Sequence, residues 1–271
     1  MKLKLASLAI GVLFVCGLAV YLIWQGIPLL LSGVLRLVPV SWEEQMGRAV
    51  VAGMTRTDPV CTDIATRELV SKVLARLEES MPKTPYHFDV QVLRNPLVNA
   101  MAAPGGHIIV YSGLIERMDS AEQLAAVLAH EMQHVVQRHS MKGVVRAIGL
   151  QTFLSLVLGD VGMLGDLAGN LTVLQFMRAD EESADDAALQ TILRAGIAPA
   201  EMQKAFENLA RPEKGESRAG SLKYLSTHPP LAERIERVRV NGAGWRGVTR
   251  PIGVTKSFPC LATRAESTQL P

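Results

Sequence analysis

Apolar residues recur every three to four positions in several segments of this 271-residue chain, with charged residues between them. The segments are 61–81, 124–136, 171–193, 199–209 and 231–240. Ser120, followed three residues later by Gln123, is typical of a capping box at the start of the second segment. Gly196 follows the third segment and Pro199 opens the fourth, as is common for glycine at helix C-termini and proline in the first turn. The pattern predicts amphipathic helices as the main elements of the chain.

A different pattern, the alternation of apolar and polar residues, precedes the helix at 124–136. It covers residues 86–93 and 107–111, and the turn-forming Pro104-Gly105-Gly106 stands just ahead of the second run. Residues 99–102 form a candidate third strand. The prediction is an α+β fold that is predominantly helical and contains one small β-sheet.

The longest apolar run lies at the N-terminus, where residues 5–24 contain no charge. A helix needs about 20 apolar residues to cross a bilayer, so a transmembrane segment is expected here. Lys2 and Lys4 precede it, which places the N-terminus in the cytoplasm. This predicts a single-pass protein of the cell (inner) membrane whose folded part faces the periplasm or another extracytoplasmic space. The alternative is a cleaved signal peptide, although the run lacks an Ala-x-Ala-like exit.

Charge and composition indicate which partners and which compartment to expect for the chain. The formal net charge is only +2 and basic residues are scattered along the chain, so nucleic acid is not an expected partner. Residues 27–40 are apolar but short and are expected to lie along the membrane interface. Cys61 and Cys260 can close a disulfide in an oxidising compartment, while two unrelated buried thiols are the alternative.

Candidate chemistry is concentrated in His130-Glu131-Met132-Gln133-His134, inside the helix predicted for 124–136. Residues four apart on a helix differ by about 40° around the axis and about 6 Å along it, so both imidazoles can bind one metal ion. Glu131 adjoins the first of these histidines and can direct its carboxylate at a water on the metal, as a general base does. The spacing predicts a zinc-dependent hydrolase.

A catalytic zinc requires a third protein ligand. His139 lies five residues beyond His134, about 140° away around the axis, so it is expected to face elsewhere if the helix continues. It is therefore predicted to be a structural or surface histidine. Gln137 and Ser140 stand where the metzincin pattern requires Gly and His, which excludes that class.

Glu181 is a better candidate, because Glu181 and Asp185 share one face of the helix predicted about fifty residues downstream. Glu181 can bind zinc, while Asp185 can accept a hydrogen bond from the distal nitrogen of a ligand histidine and fix its orientation. Glu182 points away from that face. Taken alone, this acidic run has a solvated helix face as its alternative.

The pairing of HExxH with a downstream RxxExxAD resembles peptidase family M48, a family of zinc metallopeptidases. Residues 99–114 are similar to the family's NAFALPGG stretch, and residues 124–140 are similar to its LAAVLxHExxHVxxRHS helix. The segment Ser226-Thr-His228-Pro229, with Arg234-Ile235, is similar to the family's SxHPxxxxRI segment. These signals occur in the family's order over roughly residues 60–240.

The resemblance implies a zincin-type peptidase domain, of the gluzincin class, at 43–245, preceded by the anchor and interfacial segment at 1–42 and followed by an irregular tail at 246–271. It implies one Zn²⁺ per subunit. The implied site residues are the ligands His130, His134 and Glu181, the base Glu131, and Asp185 beside the ligands. Members of the family are typically membrane-associated and act in protein quality control or processing. The expected partners are unfolded or misassembled protein substrates, with membrane lipid around residues 5–24.

Further predictions concern the substrate and His228. An extended peptide is expected to pair with an edge strand near Asn99, Gly105 and Gly106, since main-chain pairing accepts many sequences. His228 is predicted to act in catalysis, either by stabilising the oxyanion or by capping the zinc in a resting state; a histidine that caps its own helix is the alternative. His87 and His107 are predicted to be strand residues rather than ligands.

Two departures from the family pattern are visible in the sequence. Met101 stands where the family's NAFA segment has Phe, which can alter a wall facing the substrate. The glycine-rich apolar stretch 144–173 has no assigned motif and can be a lid, a membrane-dipping loop or a helix packed in the core.

Two other functional classes remain as alternatives. One is a membrane-tethered, chaperone-like scaffold that keeps a zinc site and cleaves rarely. The presence of Glu131 argues against it, because a structural zinc site needs no base. The other is a helical membrane protein with an accidental HExxH, which leaves the Glu181 run and the segment around His228 unexplained.

Overall fold

A computed structural model of the chain describes residues 33, 35–149, 152, 153, 155, 176–211, 228, 231–253 and 260. The chain divides into two compact units, Met1–Pro39 and Val40–Pro271, and the helices and strands named below belong to the second. Within the described ranges, no helix has both the length and the apolar character that a bilayer crossing requires. The predicted anchor at 5–24 and most of the glycine-rich stretch 144–173 lie outside those ranges.

The second unit is predominantly helical, as predicted. Its helices are α1 (Val40–Met54), α2 (Ile64–Ser80), α3 (Ser112–Arg117), α4 (Ala121–Val136), α5 (His139–Ile148), α6 (Arg178–Arg194), α7 (Pro199–Ala210) and α8 (Leu231–Gly242). The hydrophobic periodicity predicts α2, α4, α6, α7 and α8, although residues 171–175 of the segment predicted for α6 are not among the described residues. The pattern does not predict α1, α3 or α5.

A three-stranded sheet precedes α4 in the chain, also as predicted. Its strands are β1 (Asp89–Leu93), β2 (Ala100–Ala102) and β3 (His107–Tyr111), in the order β1-β3-β2. β3 pairs parallel to β1 and antiparallel to β2. A short 3₁₀ turn, Pro104–Gly106, connects β2 to β3. In this order β3 is the central strand, and β1 and β2 are the two edge strands.

The core is built around α4, which packs against α2, α6 and α7 and against β2. Residues 123–135 of this helix are all buried, so α4 is enclosed on all sides rather than amphipathic. Buried polar side chains require partners inside the protein. The polar residues of the HEMQH segment must therefore find theirs on neighbouring elements.

Side chains cap the N-terminal ends of α2 and α4. Asp63 precedes α2 and accepts a hydrogen bond from the backbone N of Thr66 at 2.7 Å. Ser120 precedes α4 and accepts one from the backbone N of Gln123 at 3.2 Å, as the capping signal predicts. The Gln123 side chain accepts from the backbone N of Asp119 at 2.9 Å, one residue earlier than in a standard capping box.

Cys61 and Cys260 are joined as a disulfide, and both are buried. Cys61 lies just ahead of α2, and its backbone N donates to the carbonyl of Val92 in β1. The bond therefore ties a residue of the C-terminal tail to the segment just ahead of α2. The sequence leaves open a disulfide or two unrelated buried thiols, and the structure contains the disulfide.

Candidate metal centre

The two histidines of the HEMQH segment lie one turn apart on α4 and are fully buried. Their Nε2 atoms are 3.0 Å apart, and their rings meet edge to face with centroids 4.6 Å apart. Both Nε2 atoms face the same point, as the helical spacing of His130 and His134 predicts.

Helix α6 packs against α4 and brings two buried carboxylates to these histidines. Glu181 places Oε1 at 3.3 Å from Nε2 of His134 and Oε2 at 3.6 Å from Nε2 of His130. Asp185, one turn further along α6, places Oδ1 at 2.9 Å from Nδ1 of His130. Glu181 thus lies on the side of the imidazole that can bind metal, and Asp185 lies on the distal side.

His228 approaches the same point from the segment just ahead of α8 and is buried. Its Nδ1 lies 2.9 Å from Oε1 of Glu181 and 3.4 Å from Nε2 of His130. His130, His134, Glu181 and His228 each offer one donor atom, and these atoms all lie within 4.8 Å of one another. Nitrogen and carboxylate donors in such a group form the set that zinc prefers.

Glu131 occupies a different position from the four donors. Its side chain is fully buried, and neither carboxylate oxygen has a hydrogen-bond partner among the described residues. Oε1 lies 3.7 Å from Nε2 of His228. An uncompensated carboxylate in a protein interior is costly, so its presence here fits a site that receives a cation and a polar ligand.

The electrostatics of the site favour the protonation states that bind a cation. Burial lowers the pKa of His130, and burial together with His130 lowers the pKa of His134 to about 4, so both rings are neutral at pH 7. Burial opposes ionisation of Glu181, but attraction to His228 and hydrogen bonds from the histidines outweigh burial and lower its pKa. Metal ligands must be deprotonated to bind, and these three already are.

His228 titrates in the opposite direction from the other two histidines. Burial opposes its charged form, but the carboxylates of Glu181 and Glu131 outweigh burial and raise its pKa. His228 can therefore stay protonated at a pH at which His130 and His134 are neutral.

Arg234, on α8, is buried beneath the ligands. It donates from Nε to Asp185 Oδ2 at 2.7 Å and from Nη2 to Asp185 Oδ1 at 2.8 Å. Its Nη1 lies 2.8 Å from Oε2 of Glu181, and its guanidinium covers the ring of Phe206 at 4.4 Å. The sequence places Arg234 in a stretch similar to the family but gives it no role.

His139 is expected to face away from His134 only if α4 continues, and α4 does not continue. The helix ends at Val136, and Arg138 has a left-handed backbone with φ of 57°. This corner starts α5 at His139 and turns its ring back, so that its Nδ1 lies 3.1 Å from Nδ1 of His134. His139 is buried and is not one of the four clustered donors.

An aromatic side chain that the sequence gives no means of assigning also contacts the site. Phe176, just ahead of α6, stacks on the imidazole of His134 with ring centroids 3.8 Å apart. Its ring also lies 5.2 Å from that of His228. Phe176 therefore covers the rings of His134 and His228 from the N-terminal end of α6.

The residues predicted to bind substrate lie at the edge strand, and their role stays a prediction. Asn99 is buried just ahead of β2, and its Oδ1 has no hydrogen-bond partner among the described residues. Gly105 and Gly106 have φ of 73° and 99°. A Cβ at either position would run into backbone, that of α1 at Gly105 and the carbonyl of His87 at Gly106. Close packing thus accounts for both glycines independently of any substrate.

The two remaining histidines lie apart from the cluster of donors. His107 is the first residue of β3, as predicted, and its Nδ1 lies 3.5 Å from Oδ2 of Asp89. His87 is exposed and precedes β1 by two residues, so the prediction that it belongs to a strand is wrong.

Comparison with known proteins finds a family model whose match includes this site, and several similar proteins. The model of peptidase family M48 matches residues 64–241. The Beta-barrel assembly-enhancing protease of Escherichia coli (strain K12) is 30% identical over 216 residues, which are 74% of this chain and 44% of that protein. Metalloprotease LoiP of the same organism is 36% identical over 163 residues, covering 57% of this chain and 62% of LoiP.

A further match comes from a eukaryote. The Mitochondrial metalloendopeptidase OMA1 of Schizosaccharomyces pombe is 32% identical over 173 residues, covering 62% of this chain and 51% of that protein. The chain therefore spans about half the length of several curated relatives that it matches.

Proposed function

The chain belongs to peptidase family M48, and we propose that it is a membrane-anchored, zinc-dependent endopeptidase that hydrolyses unfolded or misassembled proteins. The observation that carries the proposal is the carboxylate of Glu131, which is buried without a hydrogen-bond partner in the described part of the chain. It stands beside a cluster of imidazole and carboxylate donors. A general base needs such a place, and a structural metal site has no use for one.

His130, His134 and Glu181 would hold the zinc ion, one per subunit. When bound, zinc lowers the pKa of a water molecule and polarises a carbonyl group. Asp185 keeps the His130 ring oriented by accepting from its Nδ1, and Arg234 keeps Asp185 in place. The buried surroundings exclude bulk solvent from the donors, which strengthens the interactions among them.

Glu131 takes a proton from the attacking water at one carboxylate oxygen and delivers it to the amine that leaves. His228, whose Nε2 lies 3.7 Å from Glu131 Oε1, can donate a hydrogen bond to the oxyanion that forms from the scissile carbonyl. Its proximity to Glu181 equally suits a fourth ligand in a resting state. His228 thus has two proposed roles, a hydrogen-bond donor to the oxyanion and a fourth zinc ligand in the resting state.

The same site supports one other function, a membrane-tethered scaffold with a zinc site and little proteolysis. His228 is the observation in its favour, because four protein donors can close the coordination sphere of zinc. Glu131 distinguishes the two functions, because a closed structural zinc site requires no general base and would leave this buried carboxylate without a role.

Anchoring through residues 5–24 and an extracytoplasmic catalytic domain are part of the proposal. The uncharged run and the flanking Lys2 and Lys4 support it. The Cys61–Cys260 disulfide also supports it, because disulfides persist in oxidising compartments. If alkaline carbonate released the full-length chain from membranes, the anchor would be excluded.

The deciding experiment compares the wild-type chain with Glu131→Gln in hydrolysis of a labelled unfolded protein, with zinc content measured on both. The proposed base predicts a loss of about 10²–10⁴-fold in turnover with zinc content unchanged. Glu182→Gln is the matched control and should retain activity, because the side chain of Glu182 is partly exposed and pairs with Arg237 instead of the cluster. Equal, negligible activity in wild type and Glu131→Gln, both loaded with zinc, would favour the scaffold.

A further inference from the structure

The two ligand histidines have distal nitrogens with different partners. Nδ1 of His130 faces the carboxylate of Asp185 at 2.9 Å. Nδ1 of His134 faces another imidazole, that of His139, at 3.1 Å. On its far side, Nε2 of His139 lies 3.5 Å from Oδ1 of Asp180. His134, His139 and Asp180 thus form a buried row of polar groups that starts at one candidate ligand.

The chemistry of imidazole fixes where the protons lie along this row. Two ring nitrogens at hydrogen-bond distance share one proton, so one of them donates and the other accepts. If His134 binds metal through Nε2, its proton is on Nδ1, and His139 must accept through its own Nδ1. The proton of His139 is then on Nε2, on the side of Asp180.

The far end of the row is held by charged groups of α5. Asp180 Oδ2 accepts from Nη2 of Arg146 at 2.9 Å, and Asp180 Oδ1 accepts from Nζ of Lys142 at 3.4 Å. Asp180 Oδ2 also accepts from the backbone N of Met177 at the start of α6. The carboxylate therefore joins α5 to the start of α6 and cannot rotate away from His139 without loss of these contacts.

The near end of the row depends on the corner at Arg138. A left-handed backbone is strained for a residue other than glycine, so other contacts must hold it. Contacts across the fold hold it here: Nε of Arg138 donates to the hydroxyl of Tyr86 at 3.0 Å and lies 3.0 Å from Oε1 of the buried Glu43. Helix α1 thus contributes to the corner that returns His139 to His134.

We propose that His139 is a positioning residue for the zinc site, which accepts the Nδ1 proton of His134 and is itself oriented by Asp180. The inference rests on the proposed metal site. His139 holds His134 in the tautomer whose Nε2 lone pair is free for the metal, and it fixes the plane of the ring. Asp185 does the same for His130, so each ligand histidine is oriented by a different kind of partner.

Two substitutions of similar polarity separate this role from simple filling of space. In His139→Asn the amide oxygen takes the place of Nδ1 and can still accept from His134, but it does not reach Asp180. In His139→Gln the amide takes the place of Nε2, so the contact with Asp180 is kept and the acceptor for His134 is lost. Ser140→Ala, a buried neighbour in the same turn of α5, is the control for general disturbance.

The readout is zinc affinity of the full chain, measured by competition with a chromophoric chelator. Loss of a partner that orients a metal ligand costs about 10–100-fold in affinity. We expect His139→Gln to lose affinity in that range, while His139→Asn and Ser140→Ala stay within a few-fold of wild type. If His139→Gln binds zinc as tightly as His139→Asn, or more tightly because glutamine is closer in size to histidine, the proposal is overturned.

Nitrogen-15 NMR of the imidazoles in the zinc-loaded wild-type chain tests the proton positions without any variant. The expected spectrum has the proton of His134 on Nδ1 and that of His139 on Nε2. A proton on Nδ1 of His139 would overturn the inference and leave the proposed function standing. A wild-type chain that binds no zinc would instead overturn the proposed function, and with it the metal site on which this inference rests.

Discussion

Arg234 binds Asp185 through two parallel hydrogen bonds, from Nε to Oδ2 at 2.7 Å and from Nη2 to Oδ1 at 2.8 Å. The pair joins α8 to α6 directly below the candidate ligands. Attraction to Arg234 and a hydrogen bond with His130 outweigh the effect of burial and lower the pKa of Asp185 to about 2. Asp185 is therefore ionised at every pH at which the site would bind metal.

Replacement of Arg234 by Met is expected to destabilise the protein, because two buried carboxylates lose their guanidinium. Removal of one partner from a buried ion pair costs about 3–5 kcal/mol. The loss should be largest in the presence of a chelator and smaller with zinc bound, since the cation then offsets part of the negative charge. Urea unfolding with and without zinc measures both values.

A matched control for this prediction lies one turn further along α8. Arg237 forms ion pairs with Glu182 and Asp186, and all three side chains are at least one-third exposed. Exposed pairs contribute about 0–1 kcal/mol, so Arg237→Met should change stability little, with or without zinc. Equal effects of the two substitutions would mean that burial of Arg234 contributes nothing.

His228→Ala is expected to reduce turnover much more than stability. Loss of a hydrogen bond to the developing oxyanion costs about 10²–10³-fold in turnover. Loss of its contact with Glu181 costs about 1–2 kcal/mol in the free energy of unfolding. Steady-state kinetics and urea unfolding of the zinc-loaded protein give the two numbers, and His87→Ala, at an exposed histidine, is the control.

Other outcomes for His228→Ala assign the residue differently. A rise in turnover would identify His228 as a cap that blocks the zinc in a resting state. Unchanged turnover with reduced stability would leave only the role of capping its own helix, and His228 would not be catalytic.

In the metal-free protein, acid is expected to reduce stability from about pH 6.5 downwards. The pKa of His134 falls from its ordinary 6.5 to about 4, because of burial and the neighbouring His130. The pKa of His139 falls to about 3, because of burial and the neighbouring His134. Between these values and 6.5 the unfolded chain binds protons that the folded chain does not, so the free energy of unfolding decreases as pH falls.

The size of this effect is about 1.4 kcal/mol per pH unit for each such proton. His228 acts in the opposite sense, because its raised pKa contributes stability that is complete below 6.5 and is lost as pH rises through the folded value. Urea unfolding in a chelator at several pH values tests the slope, and His139→Asn should make the slope shallower by one proton. A stability that does not change between pH 6.5 and pH 4.5 would contradict the burial of neutral histidines.

Reduction of the Cys61–Cys260 bond is expected to lower the free energy of unfolding by about 2–4 kcal/mol, since the bond closes a long loop and limits the unfolded chain. The two cysteines are separated by 199 positions. The double variant Cys61→Ser, Cys260→Ser should match the reduced wild type, and Cys16→Ser should leave stability unchanged. A thiol assay on the denatured, unreduced chain should find only Cys16 free; three free thiols would show that the bond does not form in the cell.

Asn99→Ala tests the predicted substrate edge better than a glycine variant, because both Gly105 and Gly106 are needed for packing. Its side-chain Oδ1 is buried without a hydrogen-bond partner among the described residues. Loss of one substrate hydrogen bond should raise KM several-fold, with a change in stability below about 1 kcal/mol. Gln91→Ala, in the strand at the other edge of the sheet, is the control. Unchanged KM in both variants would place the substrate elsewhere.

The sequence determines those parts of this protein that depend on local spacing. Periodicity predicts the helix that carries His130 and His134, and the same rule places Glu181 and Asp185 on one face of α6. These relationships lie within single helices, whose geometry is nearly constant, so residue numbers are enough to predict directions.

Tertiary structure decides what lies beyond the end of a helix. Helical spacing would turn His139 away only if α4 continued past Val136, whereas contacts of Arg138 with Glu43 and Tyr86 hold a left-handed corner that brings His139 back. Those contacts join segments far apart in the chain, and no local rule contains them.

Tertiary structure also decides the contacts of His228 and Arg234. Motif resemblance marks His228 and Arg234 but does not say what they touch. Their contacts with Glu181 and Asp185 exist because α8 packs near α6 and because buried carboxylates need donors. Local spacing thus selects the ligands on each helix, and the packing of the helices, together with the need to pair buried charges, selects the groups that hold those ligands in place.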